Sequence, residues 1–271
     1  YRTLITVAEL RRLLEGAAPP VLLDCSFDLA DPAKGERTYA AGHLPEALYV
    51  HLERDLSGPK HPEGPRSPRF TGRHPLPRRA DFAALAGRLG IAPGVQVVAF
   101  DGEGSPYAAR AWWLLRWLGH EEVAVLDGGI AAWLATGGTL TTAVAPARPR
   151  PPYPERPAGM PVIEADALLA GLGHGHVVDA RSAERFSGRA EPLDPVAGHI
   201  PGARNRFFKD NLQSDGRFKP ATELRAEFAP LAGAQVVHQC GSGVTACHNL
   251  LAMEHAGLVG STLYPGSWSE W

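Results

Sequence analysis

Short apolar runs alternate along this chain with stretches whose apolar residues recur at helical spacing. Val21–Asp24 reads VLLD and residues 177–179 read VVD, while 95–100 and 235–238 are further apolar runs of strand length. Val7–Leu14 and residues 80–89 instead place apolar side chains three and four positions apart, as one face of a helix does. Residues 107–118 predict a longer, aromatic-rich helix, with 244–257 as its counterpart. Strands alternating with helices imply parallel β-α units, because a parallel pair needs a crossover and the crossover helices cover both faces of the sheet. The prediction is an α/β fold. Ligands of such sheets sit beyond the carboxyl ends of the strands, which points to the loops after Phe100 and Gln239.

The pattern occurs twice. Gly42-His43-Leu44-Pro45 follows the first strand candidate, and Gly198-His199-Ile200-Pro201-Gly202 follows its equivalent in the second half. Val97-Val98-Ala99-Phe100-Asp101-Gly102 parallels Val236-Val237-His238-Gln239-Cys240-Gly241. Leu126-Asp127-Gly128-Gly129, with Trp133, parallels Tyr264-Pro265-Gly266-Ser267, with Trp271. Anchors in the same order make an internal repeat. Between the copies, Pro146, Pro149, Pro151, Pro152, Pro154, Pro157 and Pro161 exclude a helix or a central strand and favour a stiff, extended connector. The expected layout is one domain over residues 1–140, a Pro-rich linker over 141–160 and a second domain over 161–271.

Composition narrows the function. With 271 residues, 44% of them hydrophobic, the chain can build two cores, and a formal charge of −2 argues against a surface made for nucleic acid or anionic lipid. No apolar run has the length of a membrane span. Three cysteines make no disulfide framework, which suits a reducing compartment, or a periplasm where the thiol has a job; the cytoplasm is the expected location. The chain opens on Tyr1 rather than Met, so its natural start is expected upstream.

The loop Cys240-Gly241-Ser242-Gly243-Val244-Thr245-Ala246-Cys247 follows a strand and opens a helix. Its glycines let successive backbone N–H groups turn inward, and the helix N-terminus adds positive potential. A cysteine at that centre is expected as a thiolate, with its pKa drawn from ~8.5 into the range of about 3.5–7.5. A buried cysteine acting as a small hydrophobe needs no Gly-x-Gly behind it. Cys247, two helical turns on, and Cys25, after the first strand, are expected to be structural.

A thiolate among amides suits two chemistries. A cysteine phosphatase needs an arginine later in the loop to clamp phosphate, and Ala246 and Cys247 stand there instead. Sulfur transfer needs only a thiolate that accepts a sulfur atom and holds it as a persulfide. Elsewhere, Gly102-Glu103-Gly104 lacks the third glycine of a dinucleotide fingerprint. His174-Gly175-His176 reads as a turn rather than a metal site. Trp112, Trp113 and Trp117 lie at helical spacing and read as core. His43 and His199 occupy equivalent places in both copies, which argues for a structural role in each.

The double layout and the loop CGSGVTAC resemble the rhodanese superfamily, in particular its two-domain 3-mercaptopyruvate sulfurtransferases, over nearly the whole chain. The closing Gly266-Ser267-Trp268-Ser269-Glu270-Trp271 belongs to the same likeness. The resemblance implies two tandem rhodanese-like domains, each a parallel sheet flanked by helices. The first would be catalytically dead, since Asp101 stands where Cys240 stands and a carboxylate cannot accept sulfane sulfur. Gly241, Gly243, Val244, Thr245 and Ala246 would contribute loop amides to the substrate. Arg185, in Asp179-Ala180-Arg181-Ser182-Ala183-Glu184-Arg185-Phe186, matches the donor-binding arginine, and Arg181 is expected to anchor local structure. The family's second substrate arginine is missing from Glu191-Pro192-Leu193-Asp194-Pro195; Arg189, Arg204 and Arg206 are the substitutes to consider.

The likeness further implies a proton relay of Ser242, His74 and Glu53, the last two reaching the site from the first domain. The implied reaction is ping-pong: Cys240 takes sulfur from 3-mercaptopyruvate and passes it to cyanide, a thiol or a thioredoxin-like acceptor. No metal and no organic cofactor is expected, nor a nucleic-acid or membrane partner, and the protein is expected to be a monomer. Thiosulfate is the alternative donor. A non-catalytic persulfide carrier or redox-sensing partner is the alternative outside enzymes.

Overall fold

The computed structural model describes residues 1–67, 69–102, 104–146 and 148–271. Glu103, in the turn checked for a dinucleotide fingerprint, falls outside them. The strands are β1 (Leu4–Ile5), β2 (Val21–Asp24), β3 (Ala47–Tyr49), β4 (Val97–Phe100), β5 (Val123–Leu126), β6 (His176–Asp179), β7 (Arg204–Asn205), β8 (Val236–Gln239) and β9 (Thr262–Leu263). The helices are α1 (Val7–Leu14), α2 (Lys34–Ala41), α3 (Arg79–Arg88), α4 (Pro106–Leu118), α5 (Gly129–Ala135), α6 (Ala165–Ala170), α7 (Ala183–Phe186), α8 (Ala221–Phe228), α9 (Ala246–His255) and α10 (Ser267–Glu270).

Helix α1 spans the residues its spacing predicts. Thr6 caps it reciprocally: the Glu9 N–H donates to Thr6 Oγ1 at 3.3 Å, and the Thr6 N–H donates to Glu9 Oε2 at 2.9 Å. Helix α9 begins two residues later than the pattern suggests, because Gly243 is left-handed at φ 75° and the chain turns there before the helix starts.

All strand pairs are parallel, as the alternation of elements requires. The first sheet runs β1-β5-β4-β2-β3 and the second β9-β8-β6-β7. A parallel bridge from Val162 to Leu263 continues the second sheet beyond β9. Each copy therefore has the same order, with β2 matching β6 and β4 matching β8. The chain steps outward from β6 to β7, then crosses to the other side of β6 to make β8. That reversal opens a crevice at the carboxyl ends of β6 and β8. Both central strands are buried on both faces: every residue of β4 is fully buried, and in β8 the apolar Val236 and Val237 precede the polar His238 and Gln239.

The cores differ in kind. The first gathers Ile5, Leu10, Leu22, Val98, Phe100 and Leu126 around its sheet, and Trp112 and Trp113 of α4 are fully buried. The second rests on Val177, Ile200, Val237 and Tyr264, with Trp268 and Trp271 packed against it.

The chain divides into two compact units: Tyr1–Ser57, Pro77–Gly159 and Asp215–Arg217 in one, and Gly58–Leu76, Met160–Ser214 and Phe218–Trp271 in the other. Two features differ from the sequence-based layout. Among its described residues the Pro-rich stretch has no helix, and up to Gly159 it belongs to the first unit: the Arg150 N–H donates to Gly87 O at 2.8 Å and the Tyr153 N–H to Ala83 O at 2.9 Å. The segment Gly58–Leu76, numbered with the first copy, folds with the second unit. There the Arg73 N–H donates to Ser269 Oγ at 3.1 Å. Gly72, left-handed at φ 94°, packs so closely that an added Cβ would meet Gly266 O at 2.7 Å. No helix among the described residues is long and apolar enough to cross a membrane.

Candidate active site

The loop between β8 and α9 closes around Cys240. Gly243 presses against Pro265, where a Cβ would lie 2.4 Å from the carbonyl oxygen. The chain's last segment holds the loop from outside. The Cys240 N–H donates to Ser267 Oγ at 3.0 Å, and the N–H groups of Trp268 and Ser269 donate to the carbonyls of Cys240 and Gly241, each at 3.0 Å. Ser267 is left-handed at φ 54°, a strained conformation for a non-glycine residue, and its hydroxyl also donates to Tyr264 O at 3.0 Å.

Cys240 is buried. Burial pushes its thiol up, but hydrogen bonds from the Thr245 hydroxyl and from the Ser242 and Ala246 backbone N–H groups outweigh it and bring the pKa below the ordinary thiol value. Val244 is buried and Ala246 fully so. Cys25 and Cys247 are fully buried and in no disulfide. Burial, then the charges of Asp101, Asp24 and Asp55, push the Cys25 thiol up, so it has no reactive character.

His74 meets Ser242 in the same unit. His74 Nδ1 and Ser242 Oγ are 2.7 Å apart and hydrogen-bonded, with both residues buried. The expectation that His74 arrives from the first domain is corrected by the course of Gly58–Leu76, whose packing on the closing segment makes it part of the second unit. Glu53 lies in the first unit, half-buried in the turn after β3, where its N–H donates to His51 Nδ1 at 3.1 Å.

Alternating acids and arginines follow β6. Arg181 donates to Asp179 Oδ2 at 2.7 Å, to Glu191 Oε2 at 3.1 Å and to Gly198 O at 2.7 Å, and its guanidinium covers the Trp268 ring at 4.8 Å. With every donor group engaged in framework contacts, it anchors the turn, as expected. Arg185 is tied to Glu191 Oε1 at 2.7 Å and to Asp194 Oδ2 at 3.2 Å, yet reaches the cysteine loop: a Cβ at Gly241 would lie 3.3 Å from both of its terminal nitrogens. Burial raises the Glu191 carboxyl, and the Arg185 and Leu193 hydrogen bonds more than offset it, holding it below its usual range.

None of the three proposed substitute arginines stands at Gly241. Arg189 donates to Ser187 Oγ, Arg204 is exposed on β7, and Arg206 is bound to Asn211 and Glu227. The guanidinium that stands there beside Arg185 is Arg73, whose Nη2 would be 2.8 Å from a Gly241 Cβ. Its Nη1 donates to Asp194 Oδ1. Burial, then the like charge of Arg185, lower its pKa. Arg73 adjoins His74 in sequence, but no periodicity connects position 73 with position 241.

The first copy keeps the cradle and changes its occupant. Asp101 Oδ1 accepts from the Ser105 N–H at 2.8 Å, and Oδ2 accepts from those of Tyr107 and Ala108 at 3.0 Å each. The repeated histidines match as well. His43 stacks on Tyr39 at 3.8 Å and bonds its carbonyl, and His199 stacks on Phe186 at 3.9 Å and bonds its carbonyl, both through Nδ1 at 2.8 Å. The same contact in a unit without the cysteine is structural.

Comparison with known proteins agrees with this doubled architecture. Residues 6–136 and 164–271 each match the model of the rhodanese-like domain. A protein of Pseudomonas aeruginosa named "Probable 3-mercaptopyruvate sulfurtransferase" is 47% identical over 93% of this chain and 88% of its own. The thiosulfate sulfurtransferase of Mus musculus is 33% identical over 100% of this chain and 92% of its own. Among solved structures, 3-mercaptopyruvate sulfurtransferase from Leishmania major superposes with a TM-score of 0.85 at 30% identity, covering 99% of this chain and 74% of that one. Two equally ordered parallel sheets thus match two copies of one domain model, and the chain belongs to the rhodanese family.

Proposed function

We propose that this protein is a sulfurtransferase that moves sulfur from 3-mercaptopyruvate to a thiophilic acceptor through a persulfide on Cys240. The observation that carries the reading is the buried Cys240 thiol, held below its ordinary pKa by the Thr245 hydroxyl and the loop amides, with the hydrogen-bonded Ser242 and His74 alongside. The thiolate attacks the donor sulfur; an S–S bond forms and the C–S bond breaks. The electron pair left on the donor carbon becomes an enolate, and a proton delivered through Ser242 and His74 converts it to pyruvate. The loop N–H groups stabilise the charge on the persulfide. An acceptor thiolate, or cyanide, then attacks the outer sulfur, breaks the S–S bond and restores the Cys240 thiolate.

Arg185 holds the donor carboxylate in this reading, and Glu53 is the proposed acid of the relay. Acceptors are small thiols or a reduced thioredoxin-like protein, in a reducing, cytoplasmic setting, with the protein acting as a monomer. The names of relatives support both donors, 3-mercaptopyruvate and thiosulfate. The absence of basic side chains in residues 240–247 favours the monoanionic 3-mercaptopyruvate over dianionic thiosulfate.

The test is steady-state turnover with each donor separately, with cyanide or dithiothreitol as acceptor, together with intact-mass measurement after donor alone. A gain of one sulfur atom that disappears on adding acceptor is expected. No turnover and no mass gain with either donor sinks the reading, and a stoichiometric gain without turnover would leave a carrier.

A further inference from the structure

One four-residue turn, α10, grips the backbone of the nucleophile from both sides. The Cys240 N–H donates to Ser267 Oγ, the Trp268 N–H donates to the Cys240 carbonyl, and the Ser269 N–H donates to the Gly241 carbonyl, each at 3.0 Å. A helix this short has no stability of its own, so the contacts around it set its position. Glu270, its last residue, folds back over Gly266, the residue that precedes the turn: a Cβ at Gly266 would fall on the Glu270 carboxyl. Gly266 is right-handed at φ −64°, a conformation open to any residue. The carboxyl of Glu270, and not the backbone, therefore excludes a side chain there. The same Gly266 also receives Gly72, which lies two residues before His74.

The first copy shows what this turn is without the acid. There Gly128 stands for Gly266 and Ala132 for Glu270. Gly128 is left-handed at φ 79°, so its backbone requires glycine, and Ala132 packs on a core that includes Phe100 and Leu126. In the second copy these three apolar positions are Glu270, Gln239 and Tyr264. Gln239 and Tyr264 are fully buried, and neither amide atom of Gln239 is hydrogen-bonded among the described residues. Polar side chains replace core behind the loop that holds the cysteine, a pattern expected where packing yields to a working geometry.

Resting on the sulfurtransferase reading above, we infer that Glu270 is a positioning residue for Cys240: its side chain braces α10 against Gly266, and α10 aims the thiol at the loop amides. The brace works through reach and shape rather than charge. Burial, followed by the charges of Glu164 and Asp166, raises the Glu270 carboxyl, with Tyr264 opposing. A shorter side chain uncovers Gly266 and lets the turn shift, and a misplacement of about 1 Å at a reacting atom costs on the order of 10²-fold in rate.

The experiment compares Glu270→Ala, Glu270→Asp, Glu270→Gln and Gly266→Ala with the wild type in the full chain. The readouts are kcat and KM for 3-mercaptopyruvate with dithiothreitol, the pH midpoint of Cys240 alkylation by iodoacetamide, and the thermal unfolding midpoint. Glu270→Ala and Glu270→Asp should lower kcat by about 10- to 100-fold with KM within about threefold. They should also raise the alkylation midpoint by about half a unit or more, as the Ser242 and Ala246 N–H groups lose their alignment on the thiolate. Glu270→Gln, which has the length of glutamate, should keep at least about one-third of kcat. Gly266→Ala displaces the carboxyl without removing it and should lose as much as Glu270→Ala.

A folded Glu270→Ala protein with wild-type kcat and alkylation midpoint overturns the inference, and so does one that loses only thermal stability. If Glu270→Ala does not fold, the Asp and Gln variants decide: activity kept by Asp and lost by Gln would make charge, not the brace, the cause. A wild type that turns over neither donor would instead defeat the sulfurtransferase reading, and the alkylation midpoints, which need no donor, would still judge the brace.

Discussion

The loop after β4 and the loop after β8 are built alike and hold different atoms. In the first copy a carboxylate sits in the ring of N–H groups, bonded to three of them at 2.8–3.0 Å. In the second the occupant is Cys240, whose hydrogen bonds come from Thr245, Ser242 and Ala246. A strand that runs into a left-handed glycine and then a helix makes an anion site by geometry alone: Gly104 has φ 79° and Gly243 φ 75°. The fold supplies a place for negative charge twice, and only the second place holds a soft, exchangeable nucleophile. The first unit shows what the cradle does when its occupant is permanent, which is to satisfy its own amides.

The comparison breaks most sharply at the occupant itself. Cys240→Ser keeps the cradle but replaces a thiolate with a hydroxyl that stays protonated, and turnover measured as pyruvate release should fall by about 10⁴-fold or more. Retention of a sizeable fraction of activity would place the nucleophile elsewhere. Asp101→Ala tests the other occupant. It strips a buried carboxylate from three N–H donors and should lower the stability of the first unit by about 3 kcal/mol in urea unfolding, because donors left unpaired are expensive inside a protein. A loss within about 0.5 kcal/mol would mean that the carboxylate is not what fills that cradle.

Ser242→Ala sharpens the contrast, since Ser242 bonds His74 at 2.7 Å in the second unit. Removing the hydroxyl should lower kcat by about 10²-fold with little change in KM, as expected for loss of a proton donor. A KM effect alone would make Ser242 a binding group.

The smallest effect concerns pH. The folded Cys240 pKa lies below the ordinary thiol value, with burial opposing the hydrogen bonds of Thr245, Ser242 and Ala246. Such a group favours the folded state at pH above its folded pKa; the gain is complete above its unfolded pKa and is lost as pH falls through the folded one. Thr245→Val removes one stabilising hydrogen bond, so the midpoint of Cys240 alkylation against pH should move upward by about one unit. An unmoved midpoint would leave the backbone amides as the whole cause.

Much of this was legible in the residues. The residue span of α1 follows from a period of about 3.6 residues, the central strands from short apolar runs that a parallel sheet buries on both faces, and the doubling from motifs that recur in the same order. The reactive loop was legible because Gly-x-Gly between a strand and a helix constrains the backbone whatever surrounds it. Arg185 was expected near the cysteine loop through a likeness over a short run, and Arg181 was read as an anchor from its place just after a strand. The second arginine was sought at Arg189, Arg204 and Arg206 because those are neighbours in sequence. The guanidinium beside that of Arg185 at Gly241 is instead Arg73, in a segment with little regular structure.

That division has a physical reason. Burial patterns and backbone preferences are properties of a few consecutive residues, so the sequence by itself determined two parallel α/β copies, one cradle around a cysteine and one around an aspartate. An irregular segment is placed instead by the contacts it finds at its destination. Gly58–Leu76 joins the second unit through the Arg73 N–H on Ser269 and the close approach of Gly72 to Gly266. Asp194 can hold Arg73 and Arg185 together only after that docking has occurred. The tertiary structure therefore decided which histidine meets Ser242 and which guanidinium stands over Gly241, because both depend on distances between residues far apart in the chain.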